Sequence, residues 1–227
     1  MDEVKELYVD SVQFSYFGSH PVLTGAYLKC RVGDVIALLG RNGCGKSTFL
    51  KIIFGSIKAQ HSYILVNGKR INRAYWSGQV GYLSQDSFLP TNEKVSDLIR
   101  LLVDDRSMRN MVLNDVRIQT LQDKKVYQLS GGERRYLEVY LLICQPSDFL
   151  LLDEPFSGLE PIYKQHITAL ILKFKDKKGF VISDHNYRDV LDIATQVVLL
   201  QNGTCRQIHH KKELEFFYVP IGTFDKD

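Results

Sequence analysis

Residues 40–48 read Gly40-Arg41-Asn42-Gly43-Cys44-Gly45-Lys46-Ser47-Thr48, and this stretch decides the fold. The pattern is G-x-x-x-x-G-K-[ST]. Its glycines let the backbone curl so that successive N–H groups point inward, and a helix starting within it adds the positive end of its dipole. Such a loop cradles phosphate. Lys46 is placed to reach β- and γ-phosphates, and the Ser47 hydroxyl to ligate Mg²⁺. Residues 36–39 are apolar like a buried strand, and Lys46–Phe54 continues with helical spacing that Gly55 can close. With strand before and helix after, Gly40, Asn42, Gly43, Cys44, Gly45, Lys46, Ser47 and Thr48 are the expected nucleotide-binding residues.

Outward from this loop, the chain alternates strand and helix patterns. Residues 7–14, 26–32 and 34–40 favour short strands, and residues 63–66 and 80–83 add two more. From residue 93 to about 121 the spacing turns helical, with Val95, Leu98, Ile99 and Leu102 on one face. Then follow a helix from about 132 to 143, a strand at 149–152 and a helix at Pro161–Phe174. A strand at 180–183, a helix near 187–193 and a strand at 197–200 close the series. Alternation of this kind implies an α/β fold with a largely parallel, covered sheet, and the early strands imply an antiparallel addition at its edge. The expected division is a core from 1–85 and 146–227, with a small helical subdomain over about 86–145.

Composition excludes several classes. The 227 residues suffice for one domain with a real core. Net charge is +3, from 29 basic and 26 acidic residues, too mild to call for a nucleic-acid partner. No apolar run approaches the roughly 20 residues that cross a bilayer. The acidic N-terminus lacks the apolar stretch of a signal peptide. Cys30, Cys44, Cys144 and Cys205 have neither metal-ligand nor redox spacing and read as reduced thiols. Cys44, inside the loop, is either an oxidation handle or a tolerated small residue.

Residues 149–154, Phe-Leu-Leu-Leu-Asp-Glu, are an apolar run ending in two carboxylates. A buried strand delivers its last residues to the ligand-binding edge of an open α/β sheet, where the phosphate loop also lies. Asp153 is the natural Mg²⁺ partner of Ser47, and Glu154 can deprotonate an attacking water.

These residues describe a P-loop nucleotide hydrolase with a RecA-like core. Residues 129–133, Leu-Ser-Gly-Gly-Glu, narrow it further, because they resemble the LSGGQ-type signature of ATP-binding cassette (ABC) ATPases. The resemblance spans essentially the whole chain with its motifs in order. It implies that Ser130, Gly131 and Gly132, at a helix start, bind the γ-phosphate held by an opposite subunit. The working unit would then be a head-to-tail dimer, most simply of two copies, with two ATP molecules between them. It further implies that Gln85 is the Q-loop glutamine, contacting Mg²⁺ or water, and that His185 is the switch histidine on the γ-phosphate. Tyr16 resembles the aromatic that stacks on adenine, and adjacent Phe17 competes for that place. Glu160 stands where the family usually has Asp.

The resemblance implies conversion of ATP and water to ADP and phosphate, with ATP and Mg²⁺ bound. Transmembrane permease subunits on separate chains would dock through the Q-loop and helical subdomain, placing the protein on the cytoplasmic face of the inner membrane. Phe88 and Leu89 are either that contact or subdomain core. The wording at 130–135, 153–158 and 183–188 is similar to the lipopolysaccharide-export ATPase and to branched-chain amino acid importer ATPases. The alternative is a non-transport ABC ATPase of repair, translation or cofactor assembly. Phe216, Phe217 and Tyr218, in residues 211–227, either dock a partner or pack on the domain.

Overall fold

The computed structural model describes residues 4–18 and 20–225; expectations touching residues 1–3 and 226–227 lie outside them. The strands are β1 (Glu6–Ser15), β2 (Pro21–Arg31), β3 (Val35–Leu39), β4 (His61–Val66), β5 (Lys69–Arg70), β6 (Val80–Leu83), β7 (Phe149–Asp153), β8 (Gly179–Ser183), β9 (Gln196–Gln201) and β10 (Thr204–Ile208). The helices are α1 (Lys46–Phe54), α2 (Ala74–Ser77), α3 (Val95–Leu102), α4 (Arg106–Leu113), α5 (Val116–Gln119), α6 (Gly131–Ile143), α7 (Pro161–Phe174), α8 (Tyr187–Leu191) and α9 (Leu214–Phe217).

Six strands form one sheet in the order β10-β9-β3-β8-β7-β6, parallel except for β10. The antiparallel addition is a sheet of its own, β2-β1-β4-β5. It meets the larger sheet at the β9–β10 turn, where the Thr24 N–H donates to the Gly203 carbonyl at 2.8 Å.

Strand alternation sorts the apolar side chains into two cores. In β3, Val35, Ala37 and Leu39 face one way, with α3 to α8 and the start of α9 covering them. Ile36 and Leu38 face the other way, against α1 and the inward residues of the small sheet. Strands β3, β7 and β8 are buried on both faces, which is why they read as largely apolar runs. Helices α3 to α5 share their core with the sheet, through Leu98, Ile99, Val112 and Ile118 packed in the same cluster as Leu150 and Leu152.

Most elements lie where periodicity and caps place them. Helix α1 runs between the predicted residues, and Gly55 ends it at φ 96° with its N–H bonded to the Lys51 carbonyl. Helix α8 stops at Leu191 rather than near 193, because the Thr195 N–H turns to the Val35 carbonyl to begin β9. No helix among the described residues is long and apolar enough to cross a membrane.

Register sets the functional edge. Leu38 pairs with Ser183, and Ser183 with Asp153, so the ends of β3, β8 and β7 form one row. Leu83 pairs with Leu152, which brings Gln85 to the same edge two residues later.

Candidate nucleotide site

The phosphate loop leaves β3 at this edge and closes into α1. Gly45 caps α1 in the left-handed region, φ 107°, and no side chain caps the helix. Gly45 brings no side chain of its own to the first-turn N–H groups, which suits a helix start that binds an anion. A Cβ on Gly40 would lie 2.5 Å from the Leu200 carbonyl oxygen and 2.6 Å from Cys44 Sγ, so only glycine fits that turn. Lys46 is buried and donates to the carbonyls of Gly40 at 2.8 Å and Arg41 at 3.3 Å, which holds its ammonium inside the loop.

Asp153 sits 1% exposed at the end of β7 and accepts three hydroxyl donors. These are Ser47 at 3.0 Å, Ser183 at 2.6 Å and Tyr82 at 3.1 Å. Burial, and then the Asp153 charge, push the Tyr82 hydroxyl well above the ordinary phenol range, so it remains a donor. Gln85 Nε2 lies 3.5 Å from Ser47 Oγ, and a half-turn of the amide would present its oxygen instead. One carboxylate, one hydroxyl and one amide oxygen are a hard donor set that suits Mg²⁺, which completes its shell with phosphate and water. No group of three or more His, Cys, Asp or Glu able to hold a metal occurs among the described residues. A hard ion shared with nucleotide oxygens needs none.

Glu154 follows with φ +52°, a left-handed backbone that costs a non-glycine residue about 1–3 kcal/mol. Its N–H donates to the Ser183 carbonyl at 2.7 Å, and its own carbonyl accepts from Arg135 Nη2 at 3.1 Å. The turn swings the carboxylate toward His185, whose Nδ1 lies 3.5 Å from Glu154 Oε2. His185 is exposed. Buried Asp184 anchors its loop by accepting the N–H groups of Phe156 and Asn186. Burial raises the Asp184 pKa, and those two N–H bonds oppose the shift.

Tyr16 and His20 complete a cleft of about 690 Å³ with the phosphate loop, Val22, Gln85 and Glu154. The Tyr16 hydroxyl lies 3.0 Å from Thr48 Oγ1, and Phe14 meets its ring edge-on at 4.8 Å. Phe17 is fully exposed beside it. A larger groove, about 880 Å³ between the end of α1 and the β5–α2 segment, is lined by no carboxylate. Unlike that groove, the cleft at the phosphate loop is lined by a carboxylate, Glu154, together with Lys46 and Ser47.

Ser130 caps α6 with a reciprocal box. Its Oγ accepts the Glu133 N–H at 3.1 Å, and Glu133 accepts the Ser130 N–H at 2.7 Å. Ser130 and Gly131 are exposed, and neither Ser130 nor Gly132 lines the phosphate-loop cleft. Within one chain, therefore, Lys46, Ser47, Asp153, Gln85, Glu154, His185 and Tyr16 share an edge, while of the signature residues only Gly131 reaches an adjoining pocket, which Gln85 and Glu154 also line. Glu160 caps α7 without a side-chain hydrogen bond and remains exposed. Leu89 is buried core at 4% exposure, which removes it as a contact residue, while Phe88 stands 45% exposed.

A family model described as ABC transporter matches residues 23–157. This chain belongs to the ABC transporter family. An uncharacterized ABC transporter ATP-binding protein of Rhizobium meliloti is 33% identical over 200 residues, covering 82% of this chain and 74% of that one. The lipopolysaccharide export system ATP-binding protein of Acidithiobacillus ferridurans is 28% identical over 203 residues, 84% of each chain. A solved nucleotide-free ATP-binding cassette from an ABC transporter matches at TM-score 0.80, covering 93% of this chain and 94% of that one. At 21% identity that likeness speaks for the fold alone. The chain is thus an ABC transporter ATP-binding subunit and an ATPase, and the relatives named here give the non-transport alternative no support.

Three residues that brace this edge through hydrogen bonds were missed by sequence reasoning. Tyr82 and Ser183 flank Asp153 only through strand register, so no local signal marks them. Arg135 stands within the signature wording, but its contacts with the ends of β6 and β7 arise from the tertiary fold.

Proposed function

We propose that two copies of this cassette bind two ATP molecules head to tail, each between the phosphate loop of one copy and the Ser130–Gly132 helix start of the other. The observation that carries the reading is the Ser47–Asp153 contact at 3.0 Å beneath the phosphate loop, with Glu154 and Gln85 at the same cleft. Tyr16 would stack on adenine through its π-face. Gly40, Asn42, Gly43, Cys44, Gly45 and Thr48 would wrap the phosphates.

Hydrolysis would proceed by in-line attack of water on the γ-phosphorus, breaking its bond to the bridging oxygen of ADP. Glu154 takes the proton of the attacking water. Lys46, His185 and the Ser130 end of the opposite copy set positive charge and N–H groups against the γ-phosphoryl oxygens. A Mg²⁺ ion held by Ser47, Asp153 and Gln85 would supply further positive charge to the β- and γ-phosphate oxygens. Closing of the dimer on ATP and reopening after hydrolysis would move the attached transmembrane subunits. Those subunits would dock near Gln85 and exposed Phe88, on a helical subdomain of residues 86–145 against a core of 1–85 and 146–227. The assembly would place the cassette on the cytoplasmic face of the inner membrane.

A mixing experiment tests the arrangement. Lys46→Ala removes the phosphate-loop ammonium, and Gly131→Arg blocks the opposing face; a Cβ at Gly131 has nothing within 4 Å of it. In a head-to-tail heterodimer both defects fall in one site and the other site is whole. Each variant alone should fail to hydrolyse ATP, and the mixture should regain activity. A mixture as inactive as its parts would overturn the shared site.

A further inference from the structure

Arg135 lies one turn into α6 and is 8% exposed. Its Nη1 donates to the Ser84 carbonyl at 2.7 Å and to Glu138 Oε2 at 3.2 Å. Its Nη2 donates to the carbonyls of Asp153 at 2.8 Å and Glu154 at 3.1 Å. One planar fork thus joins the residue before Gln85, the two residues that end the acidic strand, and the helix that begins at Ser130. Glu138 is 2% exposed, and its other oxygen accepts the Ser87 hydroxyl. Burying such a pair costs both charges their hydration, so its net stabilisation is small and its value lies in fixing one arrangement. An arginine suits this place because a lysine, a single point donor, cannot span the same acceptors.

We propose that Arg135 is a positioning residue that holds the Gln85 segment and the Glu154 backbone in one frame. Glu138 and Ser87 fix that frame to the signature helix. The left-handed turn at Glu154 is fastened on its carbonyl side by this guanidinium and on its N–H side by Ser183. A displacement of residues 84–88, which carry exposed Phe88, reaches the Glu154 backbone through one side chain. The inference rests on Glu154 being the catalytic base.

The test compares the whole chain with its Arg135→Lys, Ser87→Ala and Glu154→Gln variants in kcat, KM for ATP and melting temperature. Misplacement of a reacting group by about 1 Å costs up to 100-fold in rate, so Arg135→Lys should lower kcat roughly 10- to 100-fold while KM stays within about twofold. Ser87→Ala withdraws one hydroxyl donor from buried Glu138 and removes none of the Arg135 hydrogen bonds. It should lower kcat by a smaller factor with KM unchanged, and lower the melting temperature by the few degrees that an unsatisfied buried carboxylate oxygen costs. Wild-type kcat in Ser87→Ala and Arg135→Lys, or a parallel decline of kcat, ATP affinity and melting temperature in both, would overturn the proposal. If Glu154→Gln is inactive while Arg135→Lys turns over normally, the positioning role alone fails. If Glu154→Gln turns over normally, the base assignment fails with it.

Discussion

Replacing Glu154 by Gln separates chemistry from folding. The two side chains share a shape, and Glu154 Oε2 lies 3.5 Å from His185 Nδ1, too long for a strong hydrogen bond. The bonds that fix the residue, to the Ser183 carbonyl and from Arg135, use its backbone and survive the change. Folding stability should therefore move by no more than about 0.5 kcal/mol. Loss of a general base costs about 10²- to 10⁴-fold in rate. At 1.36 kcal/mol per tenfold, that raises the barrier by roughly 2.7–5.4 kcal/mol. Phosphate release at saturating MgATP reads the rate, a thermal melt reads the fold, and size-exclusion chromatography with ATP reads the dimer. The account expects slow turnover, an unchanged melt and an ATP-dependent dimer that persists. Turnover equal to wild type would refute Glu154 as the base. A collapsed melt would refute the argument that its side chain is free of folding duties.

Further substitutions probe the site and the fold that carries it. Tyr16→Ala should weaken ATP binding by the value of one base–aromatic stack, about 1–3 kcal/mol, whereas Tyr16→Phe should keep it. Unchanged affinity in Tyr16→Ala, with a loss in Phe17→Ala, would move the stack to Phe17. Gly45→Ala places a Cβ 2.7 Å from Val22 Cγ1 at φ 107°, and should cost about 2–3 kcal/mol in urea unfolding; an unshifted midpoint would contradict the geometry. Lys178 is buried, and burial lowers its pKa to about 8. An unfolded lysine titrates near 10.4, so between these values the unfolded chain holds a proton that the folded chain has released, and stability gains with rising pH. The stability of wild type relative to Lys178→Met should climb from pH 7.5 to 10, and a flat difference would show that the folded ammonium is not penalised.

What could be read in the sequence was local. The phosphate loop and α1 were legible because glycine placement, a preceding apolar strand and a closing Gly55 lie within one short stretch. Strands β7 and β8 were legible because parallel strands buried on both faces leave largely apolar runs. Strand β10 was not, since its Thr204-Cys205-Arg206-Gln207-Ile208 is largely polar and lies at an edge. A signal existed in Asn202-Gly203, whose positive φ values of 52° and 77° make the hairpin turn that this dipeptide favours. Asn67-Gly68 marks β5 in the same way. Tyr82, Ser183 and Arg135 were illegible because their roles come from register and packing between distant segments. Phe88 and Leu89, alike in sequence, are separated only by which one the core covers.

The measurement that bears most directly on the transport reading is affinity purification of this subunit from gently solubilised membranes, with its partners identified by mass spectrometry. The account predicts recovery of polytopic membrane proteins in fixed ratio to the cassette, lost when exposed Phe88 is replaced by a charged residue. Recovery of soluble proteins alone, from cells that express the subunit well, would contradict it.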